Sequence, residues 1–151
     1  MPHPSSDPAP LISVGGRIRV RTAADVAFAY LSDPNNQMHW TPNFVELIQG
    51  PDRPPGLGMK YRGRLKAFGS VNFTVDQFEP GRMFRVDTDP VVGRLTHRFC
   101  VVPDAGGAVV EHLVELWPNR LARPFSPLMR ILIRRMVKTL NRQMQQVLDE
   151  L

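Results

Sequence analysis

The sequence has little cysteine and lysine, and it has no long apolar run. Its single cysteine, Cys100, excludes a disulfide within the chain and is typical of a reducing compartment. No stretch approaches the roughly 18 apolar residues that a membrane-spanning helix needs. The first residues lack the basic and apolar parts of a signal peptide. We therefore expect a cytoplasmic protein.

Most of the basic residues are arginines, and the formal net charge is +5. Such an excess can attract nucleic acid or an anionic membrane. Five cations, against two acidic residues, follow Pro127: Arg130, Arg134, Arg135, Lys138 and Arg142. No aromatic stacking residues are interleaved with them, so we expect no nucleic-acid partner. Peripheral contact with a membrane stays an alternative.

The 151 residues and their 42% hydrophobic content fit one domain with a substantial core. The first ten residues contain four prolines and little that is apolar. We predict a flexible proline-rich arm over residues 1–11 and a single domain over residues 12–151.

The first strand is predicted at Ile18 to Arg21, where apolar and basic residues alternate. Thr22 and Asp25 have the spacing of a capping box, which predicts a short helix after them. That helix would turn Val26, Ala27, Tyr30 and Leu31 inward. A second short helical turn is predicted to end near Trp40.

Residues 44–117 alternate as strands separated by turns, for a total of about seven strands. The last two form a hairpin, Arg94 to Val102 and Val109 to Trp117. If its apolar face points inward, the hairpin brings His97 and His112 to the same face. Ser126 and Pro127 then predict the start of a long helix, as a cap followed by proline at the first position. Its apolar stripe is Met129, Ile133, Met136, Leu140, Met144, Val147 and Leu151.

Four short motifs lie in a recognisable order. They are Asp33-Pro34-Asn35-Asn36 with Trp40, Gly56-x-Gly58, Glu79-Pro80-x-Arg82-x-Phe84, and His97-Arg98-Phe99 before Gly106-Gly107. With this order of elements, the sequence resembles the START-like (SRPBCC) superfamily of pollen allergens and bacterial polyketide cyclase/dehydrase-like proteins. The resemblance implies an α+β helix-grip fold, in which a curved antiparallel sheet wraps around the C-terminal helix. It also implies a ligand cavity between them.

Candidate ligand-binding residues are those predicted on the inner faces of this arrangement. They are Trp40, Tyr61, Phe73, Phe84, His97, Phe99, His112, Ile133, Met136 and Leu140. His97, His112 and Tyr61 are also the candidates for acid/base catalysis. Alternatively, each histidine is a core residue hydrogen-bonded to Tyr61, Thr88 or the backbone. Two histidines without a third ligand do not make a metal site, and we expect no cofactor.

Three functions are compatible with these features. The first is binding, transport or sequestration of a hydrophobic molecule such as a lipid or polyketide-like compound. The second is a cyclase/aromatase-type enzyme whose cavity histidines or tyrosine move protons. The third is an interaction module that docks through the basic helix. Either a monomer or a homodimer would suit them. On the binding hypothesis, Gly63→Leu is expected to fill the cavity while the fold survives.

Overall fold

Seven antiparallel strands form one curved, open sheet in the computed structural model, which describes residues 7–66 and 68–151. They are β1 (Ile12–Val20), β2 (Phe44–Gln49), β3 (Lys60–Leu65), β4 (Gly69–Glu79), β5 (Met83–Thr88), β6 (Gly93–Asp104) and β7 (Gly107–Pro118). Their order in the sheet is β1-β7-β6-β5-β4-β3-β2. Each connection from β2 to β7 therefore joins neighbouring strands, and β1 pairs with the last strand.

The helices lie after the first strand and at the end of the chain. Helix α1 (Ala24–Leu31), a 3-10 turn (Pro34–Asn36) and α2 (Gln37–Trp40) connect β1 to β2. A second 3-10 turn (Arg123–Phe125) leads into α3 (Ser126–Asp149). The predicted α+β helix-grip fold, with two short helices after the first strand, is therefore confirmed.

The second half of α3 is fixed against β1 and the segment that follows it. The backbone N–H of Arg21 donates to Asp149 over 2.8 Å, and the Gln145 amide donates to the Arg19 carbonyl over 3.0 Å. The Thr22 hydroxyl donates to the Leu148 carbonyl. The buried residues of the helix all lie from Val137 onward: Val137, Leu140, Met144 and Leu148.

Two predicted helix caps are wrong. Thr22 does not cap α1, because its hydroxyl is bonded to Leu148, and α1 begins after Ala23 without a side-chain cap. Ser126 is the first residue of α3 and its hydroxyl donates back to the Arg123 carbonyl. Both hydroxyls thus bond a carbonyl in place of the free N–H groups that a cap would satisfy.

The inward face of α1 and the length of β1 also differ from prediction. Val26 is 47% exposed, and Phe28 is buried in its place. Phe28 makes edge-to-face contacts with Phe78 and Phe84 at 5.6 and 5.7 Å. Strand β1 begins at Ile12, well before the predicted Ile18, because its pairing with β7 continues through two glycines to Leu116.

The outer face of the sheet carries an ion-pair cluster that includes the N-terminal segment. Arg85 donates to Asp76 over 2.7 Å, and Arg94 donates to Asp7 over 2.7 Å and to Asp87 over 3.0 Å. The Trp117 indole donates to the Pro8 carbonyl. Residues 7 and 8 are therefore bonded to the sheet. The rest of the predicted arm before them, residues 1–6, lies outside the described residues.

None of the helices within residues 7–66 and 68–151 has the length and apolar character needed to cross a membrane.

Candidate functional site

A cavity of about 220 Å³ lies between the concave face of the sheet and the first half of α3. Leu31 and Trp40 bring α1 and α2 against one side of it. Phe68 after β3 and Pro90 after β5 border another side. The lining is overwhelmingly apolar, and none of the described residues that line it is charged. Such a wall favours an uncharged molecule, since a charge without a partner is costly to remove from water.

Nine of the ten predicted ligand-binding residues line this cavity. They are Trp40, Tyr61, Phe73, Phe84, His97, Phe99, Ile133, Met136 and Leu140. The tenth, His112, does not line it but lies directly behind the wall. Its ring stacks on Phe99 with the ring centres 4.4 Å apart.

The two histidines contact each other across the β6–β7 hairpin. His97 Nδ1 lies 3.3 Å from His112 Nε2, and the rings are stacked within 10° of parallel. His112 stands opposite Phe99 in the strand register, one position diagonal to His97. Tyr61 and Thr88, the partners expected for a buried histidine, bond elsewhere, to Gln37 and to the Leu95 carbonyl.

The hydrogen-bond pattern favours one tautomer of the pair, because a single hydrogen fits between the two ring nitrogens. If His97 donated it, His112 would carry its own hydrogen on Nδ1, a buried atom with no partner among the described residues. If His112 donates, that Nδ1 is a lone pair. Buried acceptors are left unpaired more readily than buried N–H groups. The second arrangement leaves His97 with its hydrogen on Nε2.

Burial keeps both imidazoles neutral. It lowers the pKa of His97 from 6.5 to about 4. Burial also lowers the pKa of His112 well below its usual value, and the neighbouring His97 adds to the effect. A charged imidazolium in this environment would lose its hydration without gaining an anion. At neutral pH the pair therefore offers hydrogen bonds rather than a charge.

Tyr61 is bonded within the wall of the cavity. Its hydroxyl donates to Gln37 Oε1 over 2.8 Å, and its ring stacks on Phe73 at 4.7 Å. Burial raises the pKa of Tyr61 above its ordinary value. The hydroxyl thus keeps its proton and has a lone pair left to accept a further hydrogen bond.

Two neighbouring residues bring polar atoms without partners to the same wall. Trp40 is 4% exposed, packs edge-to-face on Phe99 at 5.4 Å, and its indole Nε1 has no partner among the described residues. The buried hydroxyl oxygen of Thr41 also has none. An indole N–H can only donate, so Trp40 is suited to a hydrogen-bond acceptor.

Sequence reasoning missed several residues of the lining. Gln37 is the first residue of α2, and Thr41 follows its last residue. Met59 directly precedes β3, Val92 lies between β5 and β6, and Leu132 is in α3. Only the alternation that begins at Met59 and the apolar stripe beside Leu132 gave a signal that could have identified them. No group of three histidine, cysteine or acidic side chains suited to a metal ion occurs within the described ranges.

The comparisons with known proteins agree with this geometry. The family model described as polyketide cyclase / dehydrase and lipid transport matches residues 12–149. No curated protein matches the chain. Among solved structures, protein BH1534 from Bacillus halodurans has a TM-score of 0.72 at 13% identity, covering 93% of this chain and 99% of that one.

Two further structures show the same fold. Protein CV1439 from Chromobacterium violaceum has a TM-score of 0.66 at 15% identity, covering 91% of this chain and 96% of that one. The di-domain aromatase/cyclase StfQ of the steffimycin biosynthetic pathway has a TM-score of 0.72 at 14% identity. The match covers 92% of this chain and 51% of StfQ. At these identities the likeness concerns the fold.

Proposed function

Because the chain belongs to the polyketide cyclase/dehydrase and lipid transport family, we propose that it binds a hydrophobic small molecule in the cavity beneath α3. The observation that carries this proposal is the combination of an apolar, uncharged wall with a few buried polar atoms that have no partner within residues 7–66 and 68–151. Apolar walls supply affinity, and isolated polar groups fix the orientation of a ligand. The single cysteine agrees with a role in the cytoplasm.

The size of the cavity sets the class of ligand. An engineered cavity of about 150 Å³ in another protein holds one benzene molecule. The cavity of about 220 Å³ here therefore suits a molecule of one or two rings, or a short branched chain. A longer lipid or polyketide-like compound would need the part of α3 before Val137 to move outward, and no residue of that part is buried.

The polar atoms set the chemistry of the ligand. Trp40 can only donate, and the favoured tautomer of His97 leaves a second N–H on a lining side chain. A ligand that carries an acceptor, such as a ketone or quinone oxygen, would satisfy one of these donors. A carboxylate would enter without a cation to pair with it, at a larger cost. We therefore propose a neutral, apolar ligand with at least one acceptor oxygen.

A cyclase or aromatase activity is the second candidate, and contact between His97 and His112 is the observation in its favour. Efficient proton transfer needs a group whose pKa is near the working pH. Burial holds the pKa of His97 at about 4, and Tyr61 keeps its proton. These values favour hydrogen bonding over acid/base catalysis, so binding is the better supported function.

Three compounds of matched shape test the proposal: 1-tetralone, tetralin and tetralin-1-carboxylate. We expect tetralone to bind tighter than tetralin by about fivefold, the worth of one net hydrogen bond of about 1 kcal/mol. The carboxylate is expected to bind weakest. Titration calorimetry gives the affinities, and the fluorescence of Trp40 in the Trp117→Phe protein reports binding at the cavity itself.

Native mass spectrometry of freshly purified protein, followed by extraction, would then identify any bound molecule. Equal affinity for all three compounds would contradict the proposed ligand chemistry. If none of them binds and no apolar molecule is extracted, ligand binding itself is contradicted.

A further inference from the structure

The first half of α3 and the turn before it expose an unusual number of apolar side chains. We call this the apolar rim, and it consists of Leu121, Phe125, Leu128, Ile131 and Leu132. Each is at least half exposed, from 50% for Ile131 to 87% for Leu121. Their exposure is costly in water, and contiguous apolar surface of this kind marks an interaction site.

A continuous set of cations accompanies the apolar rim. Between Asn119 and Leu148 the sequence has seven basic residues and no acidic one. All seven are exposed: Arg120, Arg123, Arg130, Arg134, Arg135, Lys138 and Arg142. Leu128, Ile131, Arg135 and Lys138 are successively three or four residues apart, so they lie on the same side of the helix. The surface is therefore amphipathic along the helix, with an apolar start and a basic continuation.

The apolar rim borders the mouth of the cavity. Leu132 lines the cavity and is also 52% exposed. Phe68, on the β3–β4 connection, likewise lines it and is 40% exposed. Val91 is 75% exposed between two lining residues, and its carbonyl accepts a hydrogen bond from Asn119, just before the rim. The exposed apolar side chains thus surround the route into the cavity.

We propose that this surface docks the protein on an anionic phospholipid bilayer, with the apolar rim in the interface and the arginines among the headgroups. Amphipathic segments that combine apolar side chains with arginine or lysine bind membranes in this way. The docking goes beyond ligand binding and does not depend on it. It would place the mouth of the cavity against the lipid.

The charges decide between the bilayer and other partners. A second copy of the chain related by a two-fold axis would bring two sets of arginines together without an acidic residue between them. Nucleic acid would use the arginines but would leave the four aliphatic side chains of the apolar rim in water. Only an anionic lipid surface matches both the apolar and the cationic parts.

Sedimentation with vesicles tests the docking. One set is phosphatidylcholine alone, and the other mixes phosphatidylcholine with phosphatidylglycerol. We expect binding to the anionic vesicles that falls when salt is raised. Both the double variant Arg134→Glu, Arg135→Glu and the double variant Leu128→Ser, Ile131→Ser should lose at least tenfold in vesicle affinity. None of these four residues lines the cavity, so tetralone affinity should stay unchanged.

A matched control separates the local surface from net charge. Arg17→Glu with Arg62→Glu changes the charge equally on exposed positions of β1 and β3, and should keep most of the binding. The proposal is overturned if this control loses as much as the Arg134/Arg135 variant, or if neither α3 variant loses affinity. It is also overturned if light scattering finds a dimer that the Leu128/Ile131 variant abolishes, since the rim would then be a self-association surface.

Discussion

His97 and His112 share one hydrogen between ring nitrogens 3.3 Å apart, and no acidic side chain in the described part of the chain pairs with either. The pair is thus built to be neutral. Its burial couples folding to pH, because the unfolded chain exposes both imidazoles at their ordinary pKa of about 6.5.

The first prediction is that stability falls as the pH falls from 6.5 towards 4. In this range the unfolded state binds protons that folded His97, with a pKa of about 4, does not take up. The full contribution is present above pH 6.5. Below it, each histidine lowers the free energy of unfolding by about 1.4 kcal/mol per pH unit. Urea unfolding at several pH values measures this slope.

The variant His97→Leu, His112→Phe isolates the effect from that of titrating carboxylates, and should have a clearly shallower slope between pH 6.5 and 4.5. His39→Asn removes an imidazole at an exposed position outside the pair, and its slope is the control for the double variant. An unchanged slope in the double variant would show that the pair is not what couples folding to pH.

The second prediction concerns the volume of the cavity. Leu95 lines it from β6 and is only partly buried, so Leu95→Trp should fill the space without disrupting the core. Ligand affinity is expected to drop by at least tenfold. Val102→Trp adds the same bulk to an exposed position of the same strand and should bind normally. Calorimetry with tetralone compares the two, and circular dichroism checks the fold.

The third prediction corrects the expectation that Gly63→Leu would fill the cavity. Gly63 does not line it, and a Cβ at this position would stand 2.5 Å from the ring of Phe44 and 3.3 Å from that of Phe73. Gly63→Ala should therefore destabilise the fold by about 1–3 kcal/mol through overpacking. Adding Phe44→Leu should recover part of the loss in urea unfolding. Additive losses would contradict this contact as the cause.

The fourth prediction concerns the ion-pair cluster on the outer face. Asp7 accepts hydrogen bonds from Arg94 and from Arg85, whose side chain is only 9% exposed. Asp7→Asn should cost about 1 kcal/mol, more than a typical surface pair. Asp104→Asn, in a pair with Arg19 whose side chain is 77% exposed, is the control and should cost almost nothing. Equal losses in thermal unfolding would argue against a special role for Asp7.

Much of the fold was predictable because local and long-range preferences agree. The β6–β7 hairpin is an example: alternation alone placed His97 and His112 on one face, and the observed register brings them into contact. The apolar stripe of α3 likewise identified Ile133, Met136 and Leu140 as lining residues. The spacing of apolar residues and the residue types found in turns are local properties that can be read directly from a sequence.

The rest depends on contacts between distant segments. The pairing of β4 with β5 shifts by one residue between Val75 and Gln77, and such a bulge has no reliable sequence signal. The Thr22 bond to Leu148, 126 residues away, could not be foreseen either, and it removed the predicted cap.

Hydrogen bonds to the rest of the protein hold the C-terminal end of α3 more firmly than its N-terminal end. Gln145, Leu148 and Asp149 fix its far end through hydrogen bonds with residues 19–22. Among the described residues, its near end has one such bond, from Arg130 to the Leu11 carbonyl. Bending at the near end would enlarge the cavity while leaving the buried residues from Val137 onward in place. On the proposed ligand-binding function, a molecule would then enter or leave the cavity by breaking a few exposed contacts, and the core would stay folded during each exchange.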